Sequence, residues 1–228
     1  MYKYVISLGR DCLMRSLIDR YKLREKFKVR MPFDGSIHGY EEVCRLIETD
    51  FSDYENDIVY LNNAFKNNKG VSWNHEKTNN IESLIVQLRK RVDQFRSILN
   101  SGEKILFLIH HKDKDIEFNF KILESALQNK YPNLKYHIFV FNNYHENYYL
   151  NKKENTTYLN ILWNPNNMTN FSNINYSSLN DNFMTNIFTT KYGVNICVSI
   201  FKEICLILGE DYKNYKFNSD YDFNNSLA

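Results

Sequence analysis

Near the start of the chain, Ser7-Leu8-Gly9-Arg10-Asp11-Cys12 runs from an apolar stretch through a glycine into a cysteine, and Leu13, Met14, Leu17, Ile18 and Tyr21 then recur at helical spacing. A cysteine in the first turn of a helix sits among unpaired backbone N–H groups at the positive end of the helix dipole, which favour its thiolate. The chemistry this invites is nucleophilic: Cys12 Sγ attacks a carbonyl to give an acyl-enzyme, and a nearby base takes the proton. The competing reading is a small residue that packs the helix onto a sheet. Ser7 and Gly9 are expected to shape the turn and leave backbone N–H groups free for an oxyanion, with Arg10 lining the same turn as a substrate contact.

A base and an anchor must come from elsewhere in the chain. His110 follows the apolar run Ile105-Leu106-Phe107-Leu108-Ile109, so it lies at the end of a buried strand, whereas His38 and His111 read as solvated. Asp34, in Pro32-Phe33-Asp34-Gly35, either orients a histidine, binds a substrate hydroxyl, or bonds its own backbone as a turn residue. Arg15, Arg20, Lys22, Arg24, Lys26, Lys28 and Arg30 outnumber Asp19 and Glu25 over one short segment. Such an excess beside a helix start can hold a phosphate or carboxylate, although a solvated helix face is the commoner outcome. The polar run containing His110, His111, Asp113 and Asp115 has the look of an exposed loop, and the cysteines show no C-x-x-C spacing, so no metal is expected. Walker A, G-x-G-x-x-G and H-E-x-x-H patterns are absent from the sequence, and no cofactor is expected.

The elements that must position these residues alternate. Tyr4 to Leu8 is a first buried strand, and Leu13 to Tyr21 the helix after it. Phe27 to Met31 is a short extended segment that Pro32 and Gly35 stop. Tyr40, Val43, Cys44 and Ile47 form a second amphipathic helix, Asp57 to Leu61 a strand, and Asn62 to Gly70 a polar connection into Val71-Ser72-Trp73-Asn74-His75. Ile81, Leu84, Ile85, Leu88, Val92, Phe95 and Leu99 line a long helix between a Thr78/Asn80 start and a Gly102 stop. The run Ile105 to Ile109 reads as a strand buried on both faces, Phe118 to Leu127 as a helix, and Tyr136 to Phe141 and Tyr158 to Trp163 as strands. A long Asn/Ser-rich irregular stretch, 164–192, precedes a closing helix from Val194 to Leu208. This predicts one α/β domain over residues 1–228, a three-layer open and mostly parallel sheet flanked by helices. In such a sheet ligands bind beyond the carboxyl ends of the strands, where Cys12 and His110 both fall.

Composition narrows the function classes. The 228 residues are 43% hydrophobic and 15% aromatic, enough for a sizeable core, and a net charge of +2 gives no basis for nucleic-acid binding. Gly9-Arg10-Asp11 cuts the first apolar run short of signal-peptide length, and Asn195, Lys202 and Glu203 interrupt the last one, so a cytoplasmic protein with no membrane contact is expected. Cys44, Cys197 and Cys205 sit among apolar residues and are assigned to the core. Asparagine first appears at Asn56 and is abundant in later loops, as a coding bias would write it where structure imposes little. The tyrosine-rich stretch 142–150 fits the same bias, although its rings are able to stack on bases or sugars.

Taken together, Ser7-Leu8-Gly9-x-x-Cys12, Leu23-Arg24, Pro32-Phe33-Asp34, Trp73-Asn74-His75, the Arg89-Lys90-Arg91 helix and the strand Ile105-Leu106-Phe107 resemble, in order, a family of papain-like cysteine peptidases as far as about Asn142. The resemblance implies a Cys12 nucleophile with His75 as general base and then acid, Asp34 in support, and Arg24 among the substrate contacts. It departs from the family at Gly35, where an aromatic residue is usual, and in the setting of Glu76 after the histidine. The Gly35 departure predicts a looser loop around Asp34. The papain signature C-G-[SA]-C-[WY] is also missing around Cys12. The substrate, a peptide, glycan or small molecule, is left open. So are a transferase that binds an anionic donor at the Gly9 to Cys12 turn and a non-catalytic interaction module.

Overall fold

The computed structural model describes residues 1–23, 30–111, 120–143, 148–161, 187–188 and 191–217. Two long runs of apolar residues, Lys104–His111 and Lys135–Asn142, are too uniformly buried to be amphipathic and form the centre of a five-stranded sheet. In chain order the elements are β1 (Tyr4–Ser7), α1 (Leu13–Arg20), β2 (Ser36–Ile37), α2 (Tyr40–Glu48), β3 (Val59–Leu61), β4 (Ala64–Lys66), β5 (Ser72–Trp73), α3 (Ile81–Leu99), β6 (Lys104–His111), α4 (Phe120–Lys130), β7 (Lys135–Asn142), β8 (Tyr149–Lys152), β9 (Thr156–Asn160) and α5 (Lys191–Leu208). A short 3₁₀ turn at Tyr212–Asn214 follows.

The large sheet runs β1-β6-β7-β9-β8, with β1, β6, β7 and β9 parallel and β8 antiparallel at one edge. Its two faces read off the strand period of two. Ile105, Phe107, Ile109, Ile138 and Val140 pack with residues of α2, α3 and α4, while Leu106, Leu108, Phe139, Phe141 and Leu159 pack with α1 and α5. Helices therefore cover both faces of a mostly parallel sheet, the mixed α/β arrangement expected from the alternating pattern. A second, antiparallel sheet, β2-β5-β4-β3, adds Phe65 and Trp73 to the α2/α3 side of the core. Among the described residues no helix is long and apolar enough to cross a membrane.

The longest helix shows its sequence logic directly. Asn80 accepts the Ser83 backbone N–H at 2.7 Å as N-cap, Leu84, Leu88, Val92, Phe95 and Leu99 are buried along one stripe, and Gly102 leaves the helix in a left-handed conformation, φ +73°.

Several expectations are corrected. The stretch from Asn62 to Gly70 is a β-hairpin partner rather than a plain connection, because β4 pairs with β3 around left-handed Asn62 and Asn63. Tyr149–Lys152 forms an edge strand that the tyrosine and asparagine content disguised. The strand placed at Tyr158 to Trp163 begins earlier, at Thr156, since it is the parallel register with Ile138 to Asn142 that fixes it. Phe27 to Met31 and the irregular 164–192 stretch lie, for the most part, outside the described residues, as do Arg24, Asp113, Asp115 and Trp163.

Candidate functional site

At the carboxyl end of β1 the chain turns through Gly9 (φ +88°) and Arg10 (φ +71°), two consecutive left-handed residues of which only the first is free of a steric penalty. Ser7 is fully buried, and its Oγ accepts the Gly9 N–H at 3.4 Å. Asp11, one residue before the N-cap Cys12, then accepts the Leu13 N–H through its Oδ1 at 3.0 Å. The Gly9 N–H, expected to stay free for an oxyanion, is thus engaged by a side chain, as is that of Leu13. A signal for this bond was present in the sequence, since an aspartate just before an apolar-periodic run marks a helix start.

The turn packs on the Pro32-Phe33-Asp34 loop. A Cβ at position 9 would sit 3.4 Å from Phe33 Cβ and 3.6 Å from His38 Nδ1, so the Gly9 turn and the Pro32-Phe33-Asp34 loop are in close contact. Residues 31 to 36 are all buried. Phe33 stands edge-on to His38 and Phe95, and the Tyr54 hydroxyl and Ser36 Oγ both donate to the Pro32 carbonyl. The loop is pinned, contrary to the looseness that Gly35 suggested: Gly35 supplies only the left-handed turn, φ +71°, and aromatic packing does the rest.

Asp34 takes the expected turn role and adds an ion pair with Arg15 that was not expected. Its Oδ2 accepts the Met31 N–H at 2.8 Å and Arg15 Nη1 at 2.6 Å, fully shut off from solvent, and no described histidine bonds to it. Burial pushes its carboxyl above the usual range, against the pull of Arg15 and the Met31 N–H. Arg15 also grips Asp19. The basic segment read as a solvated helix face is therefore corrected at Arg15 and Arg20, both buried, because α1 packs in one cluster with the sheet and α5.

A second ion network adjoins the first. Arg91 holds Glu76 with two bonds, 2.7 Å and 2.8 Å, and Arg30 Nη1 reaches the same carboxylate at 3.2 Å while its Nη2 donates to the His75 carbonyl at 3.1 Å. Arg30 Nε is buried and has no acceptor among the described residues. Burial lowers the Arg30 guanidinium to about 10 against the support of Glu76.

Cys12 lies in the field of these groups. It is the partly exposed member of the four free cysteines, Cys44, Cys197 and Cys205 being buried. Its thiol is pushed up to about 12, first by burial and then by the carboxylates of Asp11 and Asp34, with Arg30 pulling weakly the other way. This reverses the direction expected from the helix start, because burial first and the carboxylates of Asp11 and Asp34 after it outweigh the helix dipole. No described histidine hydrogen-bonds the thiol. At pH 7.5 iodoacetamide should label Cys12 in the folded chain at least tenfold more slowly than in the urea-unfolded chain, with a rate still climbing at pH 10. Labelling as fast as the unfolded chain, with a plateau near pH 8, would refute that picture.

His75 is half-buried and tied to the cluster through the Arg30 bond to its carbonyl. His110 is fully buried at the end of β6: Nδ1 bonds Asp11 Oδ2 at 2.7 Å and Nε2 faces Asn143 Oδ1 at 3.2 Å, with the ring stacked on Phe141. Both of its ring nitrogens are occupied, so Asp11 joins the cysteine turn to β6 through His110.

His38 and His111, read as solvated, are corrected: both are buried. His38 Nδ1 meets Ser36 Oγ at 3.1 Å while Nε2 has no partner, and burial lowers the imidazole to about 3. A histidine that is neutral in the fold and protonates in the unfolded chain supports stability fully above about pH 6.5 and loses it as pH falls toward 3. Urea unfolding should show about 2–3 kcal/mol of this loss between pH 7 and 4.5, and His38→Phe should lack it. An equal loss in the variant would assign the acid sensitivity to other groups.

Sequence reasoning missed Asn143, and it named Asp11, Arg30, Glu76 and Arg91 without the contacts that join them here. Among the described residues no cluster of three or more metal-binding side chains occurs. Comparison of the chain with protein-family models, with curated proteins and with solved structures finds no match.

Proposed function

We propose that the chain is an acyl-transferring or hydrolysing enzyme with Cys12 as its nucleophile, working at the carboxyl edge of β1. The observation that carries this reading is the placement of a partly exposed thiol, at the start of α1, within the fields of Asp11, Asp34 and Arg30. Such a thiol is uncharged at rest and must lose its proton as it attacks, in the manner of a serine nucleophile rather than a preformed thiolate. The Sγ–carbon bond forms, the bond from the acyl carbon to the leaving group breaks, and the thiol proton passes through a base to the leaving group. Water then releases the acyl group and restores the thiol. His75 is the base in this scheme, as the family resemblance implies, and the Arg30 bond to its carbonyl fixes its backbone. Arg30 faces the substrate's negative end, and Asp34 is a positioning residue that holds Arg15 and the Met31 turn. A peptidase is the version implied by the family resemblance.

Turnover of a panel of thioesters, activated esters and peptide amides tests the reading. The wild-type chain is expected to turn over at least one of these, and Cys12→Ala to lose that activity. His75→Ala should lower kcat and remove the neutral limb of the pH profile. Undiminished turnover in Cys12→Ala would overturn the proposal.

A further inference from the structure

The carboxyl ends of β6, β7 and β9 carry an arrangement that the Cys12 reading leaves unused. His111 pairs in register with Asn142, and Asn142 with Asn160, so their side chains form one row across three adjacent parallel strands. The row continues the stripe of Ile109, Val140 and Tyr158, which is core. Where the strand period calls for three more apolar residues, the sequence places an imidazole and two amides, all buried. Asn142 is the decisive one. It is fully buried, yet among the described residues neither its Oδ1 nor its Nδ2 meets a hydrogen-bonding atom. Buried amides without partners are rare because each unmade bond costs stability, and a free amide at this point of an α/β sheet lies where ligands bind.

We infer that this row is a binding site for a neutral, hydroxyl-rich ligand such as a monosaccharide unit. A primary amide presents a donor and an acceptor side by side, and a pair of neighbouring hydroxyls, each able to donate and accept, completes both. No lysine or arginine stands in the row to balance a phosphate or carboxylate. The site is separate from Cys12: β6 lies between β1, which leads into the cysteine turn, and the strand of Asn142, and the row continues the sheet face opposite the one that α1 covers.

The test uses the full chain with glucose, mannose, N-acetylglucosamine and myo-inositol, and adenosine for comparison, in ligand-observed NMR and calorimetry. At least one sugar or inositol should bind saturably to the wild type and equally to Cys12→Ala, so the result is independent of the proposed catalysis. Asn142→Leu should weaken that binding at least tenfold while raising the Tm of the free protein by about 2–4 °C, because it removes a buried amide with unmade bonds. If Asn142→Leu does not fold, the side-chain amide resonances of wild-type Asn142 carry the test and should shift on addition of the sugar. Absence of binding across the sugars and inositol, binding of adenosine alone, unchanged affinity or a lowered Tm in Asn142→Leu, or unmoved amide resonances would each overturn the inference and leave the amide to an enclosed water.

Discussion

Glu76→Gln is expected to destabilise the fold by roughly 3–5 kcal/mol, the cost of breaking a buried ion pair from one side. The Glu76 side chain is 1% exposed and accepts from Arg91 twice and from Arg30 once, with Arg91 and Arg30 at 4% and 9%. Removing its charge leaves two guanidiniums out of water facing a neutral amide. Burial raises the Glu76 carboxyl, but the bonds and charge of Arg91, with Arg30, outweigh it and hold the group below its ordinary value. The stability it carries is therefore complete above about pH 4.3 and lost as pH falls through its lower folded value, so the penalty of Glu76→Gln should shrink in acid. Glu55→Gln is the control, since its partner Arg89 is exposed and screened. Urea unfolding at pH 7 measures both; equal, small effects would contradict a buried network.

Cys12→Ala is expected to reduce turnover of the accepted substrate by roughly 10³-fold or more, the scale on which loss of a covalent nucleophile is felt. The same change should cost little in stability, because the thiol is partly exposed and no described side chain hydrogen-bonds it. That separation is what distinguishes a nucleophile from a packing residue. The other three cysteines predict the opposite pattern. Cys197 and Cys205 are buried between α5 and the sheet, so Cys197→Ala should affect stability before it affects rate.

Where the sequence carried a strong period, the architecture could be read from it. The α3 stripe, the two long apolar strands and the closing helix are positions at which local pattern and burial agree. Strands of two to four residues were harder. β4 hides in a run of asparagine and lysine, and β8 is an edge strand with little burial to imprint a pattern. At the site, the turn and the Pro32-Phe33-Asp34 loop could be placed near one another, but their partners could not. Arg15 meets Asp34 across 19 positions, Arg30 meets Glu76 across 46, and Asp11 meets His110 across 99. No spacing rule reaches that far. The sign of the Cys12 shift was hidden for the same reason: a helix start is visible in sequence, whereas burial and the distant carboxylate of Asp34 are products of the fold.

The most direct test of Cys12 as nucleophile is the intact mass of the protein quenched in acid during turnover, followed by peptide mapping. The account predicts a gain equal to the substrate's acyl group, located on the peptide that carries Cys12 and lost on treatment with hydroxylamine, as a thioester would be. Steady turnover with no acyl mass on that peptide, persisting in Cys12→Ala, would contradict it.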